Sequence, residues 1–128
     1  MTDEEKNTII IVDDDDFLVN MYVTKFSSLG VNVEVCKSAQ ALLEKLRAGE
    51  KANIILLDIV MPEMSGIEAL RKMREEKLGE GIPVVMLTNQ NDEKDITNSK
   101  NLGVQGYIVK SAATPSEVVS EVMKIIKK

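Results

Sequence analysis

The chain has 128 residues, 44% of them hydrophobic, with a formal net charge of −5, one cysteine and no histidine. That length suits one domain with a proper core; the acidic balance argues against direct nucleic-acid binding, and zinc would need almost wholly oxygen ligands. No apolar stretch approaches the ~20 residues of a membrane span, and Met1-Thr2-Asp3-Glu4-Glu5-Lys6 lacks a signal peptide's basic-then-apolar order, so a cytoplasmic protein without a membrane partner is expected.

The first apolar run predicts a strand over 8–12 and passes into Asp13-Asp14-Asp15-Asp16. A helix over 17–28 and a strand over 32–36 follow. The strand ends in Cys36, which reads as a small buried hydrophobe. After a helix over 39–47, the run from Ile54 to Leu57 predicts a strand over 53–58 that closes on Asp58, followed by a helix over 66–77. A strand over 83–88 ends in Thr88. The next helix, 92–102, carries a single apolar residue, Ile96, before its closing Leu102, and several poor helix formers, which marks it as a movable element. A strand over 106–109 runs into Lys110. The last helix, 115–126, opens with a capping box in Thr114-Pro115-Ser116-Glu117 and buries the stripe Val118, Val119, Val122, Ile125 and Ile126. Gly30, Gly49, Gly79, Gly81 and Gly103 fall where helices should stop, and Lys124, Lys127 and Lys128 suit the end of a helix.

Five strand–helix alternations without repeats or a linker predict an α/β domain over 1–128, with a doubly wound parallel sheet covered on both faces. Ligands of such sheets bind beyond the carboxyl ends of the strands, at the point where the chain changes side. For the order 2-1-3-4-5 that point lies between strands one and three, and it gathers Asp13, Asp14 and Asp58. Acids about 4 Å apart repel by roughly 4 kcal/mol per pair at an effective dielectric near 20, so the cluster wants a counterion, and Mg2+ suits oxygen ligands. Each residue taken alone also has an ordinary reading. The aspartate run serves as a turn and helix cap, a role assigned to Asp15 and Asp16; Asp58 is another turn, Lys110 a surface lysine, Thr88 a backbone-bonded hydroxyl. Their joint placement at strand ends around one crevice favours a site for a metal and a phosphoryl group.

Four ordered motifs extend this reading: Ile10-Ile11-Val12-Asp13-Asp14, Leu57-Asp58-Ile59-Val60-Met61-Pro62-Glu63-Met64-Ser65-Gly66, Met86-Leu87-Thr88-Asn89 and Gly106-Tyr107-Ile108-Val109-Lys110. With these the whole chain resembles the receiver domain of two-component response regulators, in layout the stand-alone, chemotaxis-type receivers. The resemblance implies a five-stranded, flavodoxin-like (βα)5 fold of order 2-1-3-4-5. It implies that Asp58 is the phosphoryl acceptor and that Mg2+ is held by Asp14 directly, by Asp13 through water, by Asp58 and by the Val60 backbone carbonyl. Lys110 and Thr88 would support the phosphoryl oxygens. Thr88 and Tyr107 would form a switch in which the tyrosine rotates inward, altering the surface of the fourth helix, fifth strand and fifth helix. Read as a strand residue alone, Tyr107 is equally a half-buried aromatic with its hydroxyl in water. The implied partners are a histidine kinase or histidine phosphotransfer protein and a downstream protein target. The implied catalysis is limited to the chain's own phosphorylation and dephosphorylation.

The chain departs from the family pattern at several positions. Ser111 stands where proline commonly follows the lysine, and a cis bond there without proline would cost about 3–4 kcal/mol. Asn89 is larger than usual and narrows donor access. Apolar Val60 cannot orient an attacking water, and with Gln90 it sits where phosphoryl lifetime is tuned, so a long-lived phosphoryl group is expected. Gly106 replaces an acid used in symmetric dimers, so a monomer is expected, with dimerisation on phosphorylation as the alternative. Leu18 and Met21 on the first helix are candidate kinase contacts or core residues. Met1 and the charged ending suggest a complete small chain. The competing enzyme reading is a haloacid-dehalogenase-type phosphatase with Asp13 as nucleophile and Asp15 as acid; it leaves Asp58 without a role. An interaction module without the chemistry is disfavoured by the intact Asp14, Asp58, Thr88 and Lys110. A flavin site is disfavoured by four aspartates where a phosphate would sit.

Overall fold

The computed structural model describes residues 6–127. Within them, strands β1 (Thr8–Val12), β2 (Asn32–Cys36), β3 (Ile54–Leu57), β4 (Val84–Thr88) and β5 (Gly106–Val109) alternate with helices α1 (Asp16–Ser28), α2 (Ala39–Arg47), α3 (Gly66–Glu76), α4 (Glu93–Asn101) and α5 (Pro115–Ile126). The strands pair in parallel in the order β2-β1-β3-β4-β5, which is the predicted doubly wound, flavodoxin-like sheet.

Apart from Thr8 and Thr88 at their ends, the three central strands are apolar because both of their faces are covered. Successive side chains point to opposite faces, and the buried residues separate accordingly. Ile10, Val12, Ile55, Leu57, Val84 and Met86 pack with Leu42 and Leu43 of α2 and Leu70 and Met73 of α3. Ile9, Ile11, Ile54, Leu56, Val85 and Leu87 pack with Val19, Tyr22 and Phe26 of α1 and Val118, Val119 and Val122 of α5. Cys36 is buried in the first of these cores, as a small hydrophobe would be.

Differences from the predicted boundaries fall on capping and flanking residues. Asp15 and Asp92 accept backbone N–H groups as N-caps of α1 and α4, so α1 opens one residue early, at Asp16, and α4 one late, at Glu93. Lys77 ends α3 in a left-handed conformation at φ 57°. Asn53 and Asp58 lie just outside β3, yet their N–H groups still donate to Thr8 and Val12 of β1 at 2.8 and 3.0 Å. The capping boxes Ser65–Glu68 of α3 and Thr114–Glu117 of α5 are both formed. In α5, Val118, Val119 and Val122 are buried, whereas Ile125 and Ile126 are only half-buried.

The fourth helix is as sparsely buried as its composition implies. Its one fully buried residue is Ser99, whose hydroxyl lacks a partner, and Ile96 is half-buried. Its C-terminal end is tied down by Arg74 of α3, whose Nε donates to the Leu102 carbonyl at 2.8 Å. After β5 the chain makes a single 3-10 turn, Lys110–Ala112, which the sequence reading did not include. The described residues contain no cis peptide, so the Lys110–Ser111 bond is trans. No helix among them is long and apolar enough to cross a membrane.

Ile55 is fully buried in the sheet face against α2 and α3. Ile55→Ala should therefore lower unfolding free energy by about 2–5 kcal/mol, seen as a reduced midpoint in urea denaturation. A change within 0.5 kcal/mol, roughly what exposed positions show, would contradict this packing.

Candidate functional site

The carboxyl ends of β1, β3, β4 and β5 deliver Asp13, Asp58, Thr88 and Lys110 to one crevice. Asp13 continues the β1–β2 ladder, its N–H donating to the Cys36 carbonyl at 3.0 Å, and its Oδ1 accepts the Asp15 N–H at 3.0 Å. Asp15 in turn caps α1 by accepting the Leu18 N–H at 3.2 Å, while Asp16, the first helical residue, pairs with Lys37. These two acids thus serve the turn and the helix start, with Asp15 also on the pocket wall. Asp14, between Asp13 and Asp15, is exposed.

Asp58 is held by the end of β3, and its Oδ1 accepts the Ile59 N–H at 2.8 Å. The loop after it returns so closely that the Gly66 N–H donates to the Ile59 carbonyl at 2.8 Å. A Cβ on Gly66 would stand 2.0 Å from the Asp58 carbonyl oxygen. Gly66 is therefore a condition for placing Asp58, a role the sequence reading did not assign. Its signal was a glycine at the first position of a well-capped helix, where a better helix former would otherwise be favoured.

Lys110 reaches past the end of β4 to both buried acids. Its Nζ lies 2.5 Å from Asp13 Oδ2 and 3.3 Å from Asp58 Oδ2, with the three side chains between 2% and 9% exposed. Carboxylate oxygens of Asp13, Asp14 and Asp58 lie within 4.8 Å of one another. Four acids, Asp15 included, face one ammonium in a pocket of about 300 Å3 that Thr88, Val60, Asn89 and Gln90 complete, so negative charge is in excess. Burial, with added repulsion from Asp58, raises the Asp13 carboxyl above the ordinary carboxylate value despite the Lys110 hydrogen bond. Burial alone would lower the Lys110 ammonium, but the Asp13 hydrogen bond and the fields of Asp58 and Asp13 outweigh it and hold the group above the usual lysine value. Excess negative charge with converging oxygens fits a hard divalent cation.

Thr88 is fully buried and its Oγ1 accepts the Gln90 N–H at 3.2 Å, so its own proton is free to donate. Tyr107 is half-buried, as the ordinary reading has it, and its hydroxyl has a protein partner. The ring packs against the first core and the hydroxyl donates to the Gln90 carbonyl at 2.8 Å. The Gln90 side chain reaches Asp95 of α4, Nε2 to Oδ2 at 3.4 Å. Gln90 is thus a joint between Thr88, Tyr107 and α4, beyond the water-tuning position the sequence suggested. On α1, Leu18 packs against the second core, whereas Phe17 and Met21 are 77% and 36% exposed.

A family model described as the response regulator receiver domain matches residues 9–122. The alkaline phosphatase synthesis transcriptional regulatory protein PhoP of Bacillus subtilis is 30% identical over 120 residues, covering 94% of this chain and 48% of that protein. The DNA-binding response regulator MtrA of Mycobacterium tuberculosis is 31% identical, covering 94% and 50%. The chain thus spans about half the length of the curated relatives it matches. Among solved structures, a CheY-like response regulator receiver domain protein from Methanospirillum hungatei aligns with a TM-score of 0.86 at 27% identity, covering 96% of this chain and 95% of that one. A response regulator described as putative, from Chloroflexus aurantiacus, aligns at 0.84 and 25%, covering 97% and 100%.

Lys110→Ala removes the ammonium that opposes the burial of Asp13 and should push that carboxyl further above its unfolded value of 3.8. An acid whose folded pKa is raised holds its proton more tightly when folded, so stability present below the unfolded pKa is lost as pH rises through the folded one. From about pH 4 toward neutrality, the variant's urea midpoint should fall more steeply than the parent's. Parallel profiles would contradict this electrostatic account.

Proposed function

The chain belongs to the response regulator receiver domain family, and from that membership we propose that residues 1–128 form one receiver unit that takes a phosphoryl group onto Asp58 from a phosphohistidine. The observation that carries the proposal is Asp58 itself, buried at the end of β3 with Lys110 Nζ at 3.3 Å and the Thr88 hydroxyl in the same pocket.

An Asp58 carboxylate oxygen attacks phosphorus. The phosphorus–nitrogen bond breaks with its electron pair returning to the imidazole ring, and an acyl phosphate remains on Asp58. No general base is needed, because the ionised carboxylate carries no proton to remove. The work left to the protein is positioning and charge stabilisation. Lys110 supplies a fixed positive charge and Thr88 a hydrogen bond to the phosphoryl oxygens.

Asp14, Asp13 and Asp58, with the Val60 backbone carbonyl, would hold Mg2+. When bound, Mg2+ neutralises the acid cluster and the charge of the incoming phosphoryl oxygens. The unbalanced negative charge beside Lys110 supports that assignment. Outside its own charging and discharging, the unit acts as a signalling component. The same reading keeps the cytoplasmic expectation.

Gln90 supports a switch. Thr88 drawn toward a phosphoryl group pulls on the Gln90 N–H that it accepts, and Gln90 also holds the Tyr107 hydroxyl and touches Asp95. The loosely packed α4 then shifts its population, altering the surface of α4, β5 and α5 presented to a downstream protein. Exposed Phe17 and Met21 on α1, close in sequence to the acid cluster, form the matching surface for a histidine kinase or histidine phosphotransfer protein. Val60 is apolar and the Gln90 side chain is engaged with Asp95, which supports slow hydrolysis of the acyl phosphate.

Intact mass after incubation with acetyl phosphate and Mg2+ tests the proposal. The parent and Asp13→Asn should be compared with Asp58→Asn, which alone should lack any single phosphoryl adduct; the parent's adduct should decay over many minutes rather than seconds. An adduct or phosphate turnover that survives Asp58→Asn and disappears in Asp13→Asn would replace this reading with a phosphatase.

A further inference from the structure

We propose that Asn89 is a positioning residue for Lys110: its side-chain carbonyl fastens the backbone that carries the ammonium to the end of β4. The registered pairing of β4 with β5 ends at Thr88 and Val109. Just beyond it, the Ser111 N–H donates to Asn89 Oδ1 at 2.9 Å. A side chain thereby prolongs the ladder across the rim of the phosphoryl pocket, in which Asn89 is itself a lining residue.

Lys110 lies between the last registered residue, Val109, and the clasped Ser111. Both neighbours are tied to β4, so the direction in which its side chain leaves the backbone is set. That matters because Lys110 starts a 3-10 turn rather than a strand, and its long flexible stem must bring Nζ to 2.5 Å from Asp13 and 3.3 Å from Asp58. The clasp uses only the backbone donor at 111, which a proline would lack. It also uses a side-chain carbonyl of matching length at 89. Two features of the sequence, a serine directly after the lysine and a large polar residue directly after the threonine, thus answer one another. Asn89 and Ser111 are both exposed, so the bond serves placement more than core stability.

The inference rests on Asp58 being the phosphoryl acceptor. Initial rates of adduct formation from acetyl phosphate and Mg2+ should be measured for the full chain, Asn89→Ala, Lys110→Ala and the double variant. Misplacing a reacting group by about 1 Å costs up to roughly a hundredfold, and loosening one anchor should cost about tenfold. Asn89→Ala should be slower by that factor at an unchanged melting temperature, and the double variant no slower than Lys110→Ala alone. Without donor or Mg2+, Ser111 amide hydrogen exchange should be slow in the parent and fast in Asn89→Ala. A parent-like rate in Asn89→Ala, an equal fold-loss in both backgrounds, or Ser111 exchange that ignores Asn89 would overturn the inference while leaving Asp58 as acceptor. A parent without any Asp58 adduct would overturn both.

Discussion

The ion pairing of Lys110 with the buried carboxylates of Asp13 and Asp58 joins the end of β5 to the ends of the neighbouring strands β1 and β3, remote in sequence and, in the sheet, on the far side of β4. Removing even one charged group from water costs several kcal/mol after relaxation. A single ammonium between two buried acids offsets only part of that cost, and exposed Asp14 adds a third negative charge at the mouth. The pocket is therefore left electrostatically incomplete, in the direction that welcomes a cation and then an anionic group bound through it. A sheet selected for stability alone would place apolar or neutral residues at these strand ends. Here the sheet carries the charge imbalance at the edge where the chain changes side, which is where such folds bind ligands.

The packing around the site is uneven. β1, β3 and β4 are buried on both faces. α4 contributes only Ser99 to the fully buried set, with the hydroxyl unpartnered, and is anchored at its far end by the Arg74 bond to Leu102. Its near end is connected through Asp95 to Gln90, which also receives Tyr107 and bonds Thr88. A helix held firmly at one end and through one adaptable residue at the other is the least costly element for this fold to shift.

Most of the fold was legible because local signals agreed. β1, β2, β5, α2 and α5 match their predicted bounds, and the differing ends lie at helix caps and strand flanks, within one residue of the prediction. The acids, Thr88 and Lys110 were legible for the same reason: each closes an apolar run, and strand order alone brings the runs together. What escaped was a set of single hydrogen bonds between distant residues. The Tyr107 hydroxyl finding Gln90, the Asn89 side chain finding Ser111 and Arg74 finding Leu102 span 17, 22 and 28 residues. No periodicity encodes them, since they depend on where two loops or helix ends meet after the sheet has formed. The close approach of Gly66 to Asp58 is of this kind too, visible only once the loop is closed.

The acid cluster is short of positive charge, as a site for a divalent cation would be. Titrating Mg2+ into the parent and Asp14→Asn at constant ionic strength, with the thermal midpoint as readout, tests this most directly. A saturable rise is expected in the parent and should be strongly weakened in Asp14→Asn, because a ligand bound only by the folded state stabilises it by mass action. A flat response in the parent, or an identical one in both proteins, would mean that Lys110 alone balances the site and that the cation assignment is wrong.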